Sequence, residues 1–377
     1  MQRHIIKLFF AVVCLSVTQS THAQDPNFYL FLCFGQSNME GQGTIESVDR
    51  TVNERFQVYQ ALDCSNLSRE KGNWYPAIPP LTRCWTRLSP ADYFGRTMVE
   101  NLPEQVRVGV INVSVGGCRI ELFDKDIYEN YTNTYTEEWF QNAINDYGRN
   151  PYQYLIDLAK EAQKDGIIKG ILLHQGESNN SDNQWPDKVK KIYEDMVTDL
   201  QLDPTKTPLL AGEMVHEDQD GLLAGMNTII NQLPDVLDNS YVISSSGCSD
   251  QDDNIHFNSA GYRELGKRYA EKMLEVIDKT VVPLEAAQPS HDGLHLEAVY
   301  PNPTSGPLQI SFSTPSTEIV NIYLQDLVGR SVMQLTNKSY SAGSYSLAYN
   351  ADDLPKGAYF IIIESAGHTH SSRILVR

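Results

Sequence analysis

Hydrophobic residues in the first three quarters of the chain occur as short continuous runs separated by longer amphipathic stretches. The runs are rich in β-branched or aromatic residues and nearly free of polar ones, which is typical of strands buried on both faces. Strands that alternate with helices predict a parallel sheet covered on both sides. The predicted strands are residues 28–34, 106–115, 167–173, 209–214 and 241–246, and the predicted helices are 151–164, 189–202, 222–233 and 260–277.

Two parts of the chain depart from this alternation. Residues 45–97 are rich in polar and aromatic residues, and we predict long loops there over one edge of the sheet. From residue 294 onward, short strands separated by turn residues predict a small antiparallel β-sandwich. The predicted domains are therefore 24–281 and 294–377, joined by a linker over residues 282–293.

The first 23 residues have the organisation of a secretory signal peptide. A short positive segment ends at Lys7, an apolar stretch covers residues 8–17, and the small residues Thr21 and Ala23 stand three positions and one position before a cleavage point. The apolar stretch is too short to span a bilayer, and no other apolar run in the sequence reaches that length. We expect residues 1–23 to be removed and the mature protein to be exported without a membrane span.

Charge and cysteine content narrow the partners. The chain has 48 acidic and 30 basic residues, a net charge of −18, which disfavours nucleic acid and anionic membrane surfaces. Five cysteines follow the predicted signal peptide, so at least one lacks a partner within the chain. We expect Cys64 to pair with Cys84 and Cys33 to be a core residue, while Cys118 and Cys248 stay unassigned. No metal-ligand spacing or cofactor motif is present, so we predict neither.

The candidate chemistry begins directly after the first predicted strand. Ser37 lies in the segment Gly35-Gln-Ser-Asn-Met, where an α/β enzyme presents a nucleophile, although a serine here can equally cap the next helix. Far along the chain, Asp253 and His256 supply an acid and a base three residues apart. The alternative for this pair is a local hydrogen bond at a helix start. A serine, a base and an orienting acid together would support acyl transfer.

An acyl-transfer site also needs donors for the developing oxyanion. Ligands bind at the carboxyl ends of the strands in an open parallel sheet, and Gly117 and Gln175 each follow a predicted strand. We expect the backbone N–H groups of Ser37 and Gly117 and the side-chain amide of Gln175 to be these donors. Gly117 can instead belong to an ordinary tight turn, and Gln175 can be a polar strand end. The G-x-S-x-G pattern of lipase-type hydrolases is absent.

Four motifs occur in order along the chain: residues 35–41, Gly116-Gly117, His174 to Ser178, and Asp253-x-x-His256-Phe257. They resemble the motifs of the SGNH (GDSL-like) hydrolase superfamily, in its branch of sialate O-acetylesterases and acetylxylan esterases (carbohydrate esterase family six). This resemblance implies a three-layer, flavodoxin-like α/β/α fold with a five-stranded sheet, Ser37 as nucleophile, and His256 and Asp253 as base and acid. Asn38, Glu177 and Arg119 would then contact substrate or support the site.

The last 80 residues contain four further motifs: Tyr300-Pro-Asn-Pro303, Asp326 to Arg330, Leu354 to Phe360, and the basic end of Ile374 to Arg377. With these motifs the segment resembles the C-terminal sorting domain of proteins exported by the type IX secretion system. The resemblance implies that this domain addresses the protein to the secretion machinery, and thereby to the cell surface or the medium, without taking part in its chemistry.

Together these features predict a secreted serine esterase that removes O-acetyl groups from a carbohydrate. Acetylxylan or a related plant polysaccharide is the first expectation and O-acetylated sialic acid the second. A carbohydrate-binding protein that kept the fold without turnover is the alternative from another class. Arg119 can bind a substrate carboxylate or form a structural ion pair. Four aromatic residues can stack on sugar rings or cover the core edge: Trp74, Tyr75, Trp85 and Trp139.

Overall fold

The computed structural model describes residues 24–277, 294–352, 354–365 and 367–377. These residues form two compact units, 24–277 and the part of the chain from 294 to the end. The predicted signal peptide and the predicted linker lie outside the described residues and stay predictions. Among the described residues, no helix combines the length and the apolar character that crossing a membrane requires.

The first unit is built on one mixed sheet of seven strands, in the spatial order β3-β2-β4-β1-β5-β6-β7. All adjacent pairs are parallel except β2 with β3 at one edge. The expected α/β class is therefore correct, but the expected count of five strands is wrong. The strands are β1 (Asp25–Gly35), β2 (Phe56–Tyr59), β3 (Trp74–Pro76), β4 (Arg107–Ser114), β5 (Gly166–His174), β6 (Leu209–Gly212) and β7 (Ser240–Ile243).

Strand β1 lies in the middle of the sheet because its apolar side chains are buried on both faces. From Phe28 to Phe34 every residue is buried, and β1 pairs with β4 on one side and β5 on the other. The five predicted strands are neighbours in the order second, first, third, fourth, fifth, which is the flavodoxin-like order. The chain thus changes direction across the sheet at β1, and the ends of β1, β4 and β5 meet where such folds bind ligands.

The helices follow the predicted alternation, with one exception. The segment 222–233 was predicted as one helix, but it breaks into short helical pieces. The helices of this unit are α1 (Ser37–Glu40), α2 (Pro90–Asn101), α3 (Tyr128–Thr134), α4 (Glu138–Asn145), α5 (Pro151–Ala162), α6 (Trp185–Asp199), α7 (Asn227–Ile230), α8 (Leu233–Val236) and α9 (Ser259–Val276).

The region 45–97 is more regular than its composition predicted, since it supplies β2, β3 and helix α2. Both strands are too short for an apolar pattern to reveal them. They are held by packing: the ring of Trp74 lies 4.6 Å from that of Phe28 and 4.7 Å from that of Tyr59. The predicted disulfide between Cys64 and Cys84 is present and closes the segment that contains β3. Trp74 is accordingly a packing residue.

The second unit has two antiparallel sheets, of strand order β11-β10-β13-β14 and β12-β9-β8. Alternating apolar residues from both sheets form one buried core, which includes Phe312, Ile322 and Ile361. Antiparallel sheets that share a core agree with the predicted sandwich. The strands are β8 (His295–Tyr300), β9 (Pro307–Thr314), β10 (Glu318–Gln325), β11 (Ser331–Tyr340), β12 (Gly343–Asn350), β13 (Gly357–Ser365) and β14 (His368–Val376).

Candidate active site

Ser37 lies at the sharp turn between β1 and α1. The turn depends on Gly35, whose φ is +147° and whose absent side chain leaves room for the neighbouring strand. A β-carbon on Gly35 would come 2.0 Å from the carbonyl oxygen of His174 in β5. The tight turn makes Ser37 the first residue of α1, where it is 8% exposed. Its hydroxyl therefore lies at the carboxyl end of the central strand.

His256 reaches Ser37 from the loop that precedes α9. Its Nε2 atom lies 2.8 Å from Ser37 Oγ, and its Nδ1 atom lies 2.6 Å from Asp253 Oδ2. A carboxylate can only accept, so Nδ1 carries the proton and Nε2 is left to accept from the Ser37 hydroxyl. The structure thus brings the three predicted residues into one hydrogen-bonded chain, although 219 positions separate Ser37 from His256.

Asp253 holds both the ring and the backbone of the histidine. Its Oδ1 atom accepts the backbone N–H groups of Ile255 at 3.0 Å and His256 at 2.9 Å, while Oδ2 binds the ring. Burial alone would raise the pKa of Asp253, but these hydrogen bonds from the histidine outweigh it and lower that pKa below its ordinary value. The carboxylate is therefore charged at neutral pH, as an orienting acid requires.

Asn38 fastens the serine turn to the histidine loop. Its amide nitrogen donates to the Ile255 carbonyl at 3.0 Å and to Glu177 Oε1 at 2.6 Å. Its carbonyl oxygen accepts from the Phe257 N–H at 3.3 Å and from the Tyr262 hydroxyl at 2.6 Å. Asn38 is fully buried, so it cannot contact a substrate and instead sets the distance between Ser37 and His256.

Two backbone N–H groups are free to bind an oxyanion. Among the described residues, neither the amide of Ser37 nor that of Gly117 donates to a protein acceptor. Gly117 follows β4 and has φ of +68°, a conformation that favours glycine. A side chain there would also collide with the indole of Trp139, since a β-carbon would come within 2.6 Å of it. Both predicted backbone donors are thus available, at the ends of adjacent strands.

Gln175 does not have the free amide that we expected. It is fully buried, and its Nε2 atom lies within hydrogen-bond distance of three protein acceptors. Two hydrogens facing three acceptors mean that the amide is engaged within the protein in this structure, and its role as an oxyanion donor stays a prediction. Its Oε1 atom also accepts from the indole N–H of Trp185 at 2.5 Å. The three acceptors are Gln36 Oε1 at 3.1 Å, the Cys118 carbonyl at 3.2 Å and Asn179 Oδ1 at 2.7 Å.

Gln175 instead ties the oxyanion turn to the serine turn. Cys118 follows Gly117 directly, and Gln36 precedes Ser37, so one buried amide bonds the neighbours of both backbone donors. Asn179 extends this network by accepting the backbone N–H of Ile120 at 2.8 Å. Sequence reasoning could place Gln175 at the strand end, but it could not show that the amide was already occupied.

The two remaining candidates differ in their surroundings. Glu177 is buried and binds Asn38 through one oxygen, while its Oε2 atom has no hydrogen-bond partner among the described residues. Arg119 is partly exposed and pairs with Glu121 at 3.2 Å and with Asp182 at 3.4 Å. The structural ion pair is therefore the arrangement observed for Arg119, and its guanidinium already has two carboxylate partners.

A buried ion pair behind the serine turn was not predicted. Glu40 lies in the same motif as Ser37, and its Oε1 atom is 3.1 Å from Arg83 Nη2. The Gly116 N–H also bonds to the Glu40 carboxylate. Burial raises the pKa of Glu40, and the neighbouring Arg83 only partly offsets this rise. Glu40 could have been suspected from its motif, whereas nothing in the sequence around Arg83 indicates a partner 43 positions away.

One cluster of three aspartates has the spacing of a metal site, but a lysine ammonium already lies close to all three. Carboxylate oxygens of Asp124, Asp126 and Asp195 lie within 4.8 Å of one another. Lys191 Nζ lies 2.8, 2.7 and 3.0 Å from these three residues. The ammonium offsets part of the negative charge, so we interpret this cluster as a structural network of ion pairs.

Comparison with known proteins agrees with this fold. Residues 27–275 match the family model described as carbohydrate esterase, sialic acid-specific acetylesterase. Because the match covers more than half of the chain, the protein belongs to this family of carbohydrate esterases. Residues 298–377 match the model of the secretion system C-terminal sorting domain, which indicates a secreted or cell-surface protein.

Solved structures resemble the chain at low sequence identity. A protein from Arabidopsis thaliana is 18% identical, with a TM-score of 0.51, over 67% of this chain and 100% of its own. This likeness supports the fold. NanS is 16% identical over 66% of this chain and 98% of its own, with a TM-score of 0.49. A carbohydrate acetylesterase from Xanthomonas citri is 14% identical over 86% and 79%, with a TM-score of 0.48.

Proposed function

We propose that the protein is a serine esterase that hydrolyses O-acetyl esters on a carbohydrate through an acetyl-enzyme. The observation that carries this proposal is the hydrogen-bonded chain from Ser37 through His256 to Asp253. The two unengaged N–H groups beside it complete the parts that acyl transfer needs. A protein that only binds sugars would not require such a chain.

The reaction has two halves. His256 Nε2 takes the proton of Ser37 as the oxygen attacks the acetyl carbonyl, and the N–H groups of Ser37 and Gly117 stabilise the oxyanion. The histidine then gives the proton to the sugar oxygen, which leaves as an alcohol. In the second half, water loses a proton to His256 and attacks the acetyl-serine. Collapse of that intermediate releases acetate, and Ser37 recovers its proton.

The preferred substrate is a neutral acetylated polysaccharide such as acetylxylan. A sialic acid carries a carboxylate, which an arginine ordinarily binds through two parallel hydrogen bonds. Arg119 is the cation expected for that role, but Glu121 and Asp182 already bind it. O-acetylated sialic acid is the second candidate, because the family description names sialic acid. The proposed route of export is removal of residues 1–23 followed by type IX secretion through the C-terminal unit.

Ser37→Ala tests the reaction. We expect it to lower kcat on p-nitrophenyl acetate by about 10³-fold or more, as removal of a nucleophile does in other triads. Ser65→Ala is a suitable control, because that exposed serine lies between β2 and β3, at the edge of the sheet. If Ser37→Ala keeps activity within threefold of the wild type while folding normally, Ser37 is not the nucleophile.

A further inference from the structure

One exposed tryptophan lies directly above the proposed oxyanion turn. Trp139, near the start of α4, is 49% exposed, and its indole covers Gly117 so closely that no side chain fits between them. The preceding residue of the turn, Gly116, is a near neighbour of the nucleophile: a β-carbon there would lie 3.7 Å from Ser37 Cβ. The indole therefore covers a turn that packs next to the reacting serine.

Neighbouring aromatic residues hold this indole in place. The rings of Tyr135 and Phe140 lie 6.0 and 5.8 Å from that of Trp139, nearly perpendicular to it at 80° and 78°. At these angles neither neighbour lies flat on the indole. Phe140 itself is fully buried, which anchors α4 to the body of the unit. Trp139 thus keeps about half of its surface in contact with water, where a ligand can cover it.

The segment that carries Trp139 is strongly acidic. Between Cys118 and Tyr147 the chain has seven acidic and two basic residues. Both bases and four of the acids are engaged in ion pairs, whereas the exposed Glu129, Glu137 and Glu138 form no ion pair among the described residues. A negative surface around an apolar ring repels an anionic ligand and leaves a neutral one unaffected.

We propose that Trp139 is a specificity-determining platform on which the neutral sugar ring that bears the acetyl ester stacks. The apolar C–H face of a pyranose covers the indole, while its hydroxyl groups stay in water. This places the acetyl carbonyl over the Gly117 N–H and within reach of Ser37. The inference depends on the proposed esterase function and adds the residue that selects a neutral sugar ring.

The test compares two variants of Trp139 with the wild type on two substrates. Trp139→Leu keeps an apolar side chain over Gly117 but removes the ring, and Trp139→Tyr keeps a ring. For acetylated xylo-oligosaccharides we expect Trp139→Leu to lower kcat/KM by about tenfold or more, mainly through KM, and Trp139→Tyr to lower it by less. For ethyl acetate, followed by titration of released acid, both variants should stay within threefold of wild type.

The outcomes separate the two proposals. A wild-type protein that hydrolyses neither substrate would refute the esterase function itself. An active wild type whose Trp139→Leu variant loses the same factor on both substrates would overturn the platform, because the indole would then act only by supporting the Gly117 turn. Unchanged kinetics on xylo-oligosaccharides would overturn it too, as would a higher kcat/KM on 9-O-acetyl sialic acid than on the neutral substrate.

Discussion

Replacing Asp253 with asparagine isolates the electrostatic part of the site from its architecture. Asparagine is nearly isosteric, and its carbonyl oxygen can still accept the two backbone N–H groups that Asp253 Oδ1 accepts. Its amide nitrogen would then face His256 Nδ1, where the carboxylate oxygen now lies at 2.6 Å. A donor at this point requires Nδ1 to be an acceptor, so the ring proton moves to Nε2. Nε2 can then no longer accept the proton of Ser37.

The size of the effect follows from this change of tautomer. In the serine protease template the equivalent substitution lowers kcat by about 10⁴-fold. The Asp253 side chain is 45% exposed, and water can partly replace it, so we expect a smaller loss of about 10³-fold. The assay is kcat on p-nitrophenyl acetate at pH 8, with the thermal midpoint measured in parallel. We expect the midpoint to change little, because the loop keeps its backbone hydrogen bonds.

The neighbouring Asp252 supplies the matched control. It is exposed on the same turn, so Asp252→Asn removes the same charge without touching the histidine. We expect that control to keep kcat within twofold. If Asp253→Asn retained more than a tenth of wild-type kcat, Asp253 would not orient the base, and the proposed chain of proton transfer would be wrong.

Two further predictions concern buried groups. Gln175→Ala should lower the free energy of unfolding by about 2–3 kcal/mol, because it leaves the polar groups that the amide now binds without a partner. A 100-fold loss of kcat at an unchanged thermal midpoint would instead support Gln175 as an oxyanion donor. Burial raises the pKa of Asp92 to about 7, against the opposing hydrogen bond from Ser89. The folded pKa lies above the unfolded value, so this group favours folding fully below pH 4, and that stability is lost as pH rises to 7. Relative to Asp92→Asn, the wild type should lose on the order of 4 kcal/mol over that range. Urea unfolding followed by tryptophan fluorescence measures this loss of stability, since all four tryptophans lie in the first unit. Glu100→Gln on the same helix is the control. Parallel pH profiles of stability for wild type and Asp92→Asn would contradict the prediction.

The sequence was most informative where burial was complete. The run from Phe28 to Phe34 predicted the central strand because both of its faces are covered, and the motifs after β1, β4 and β5 predicted which residues would meet. The pairing of Cys64 with Cys84 was also predicted correctly. Strand β3 was missed because a three-residue edge strand, stabilised mainly by Trp74 against the rings beneath it, leaves no periodic signal.

The features of the site that the sequence left open have a different origin. The position of Gln175 followed from the strand pattern, but its hydrogen-bond partners come from three other segments of the chain. Asn38 was expected to contact substrate or support the site, and only the packing of Tyr262 and the histidine loop around it decides between the two. Propensity and spacing describe one segment at a time, so they cannot show which donors remain unsatisfied after several segments meet.

The position of the histidine loop has a consequence for when the enzyme becomes active. The proposed base follows β7, the last strand of its unit, and docks on the first strand through Asn38. A partly folded chain, however much of its sheet has formed, has no proton acceptor at the serine until that final segment arrives. Recovery of esterase turnover during refolding therefore reports when this loop docks, and not merely when the sheet forms.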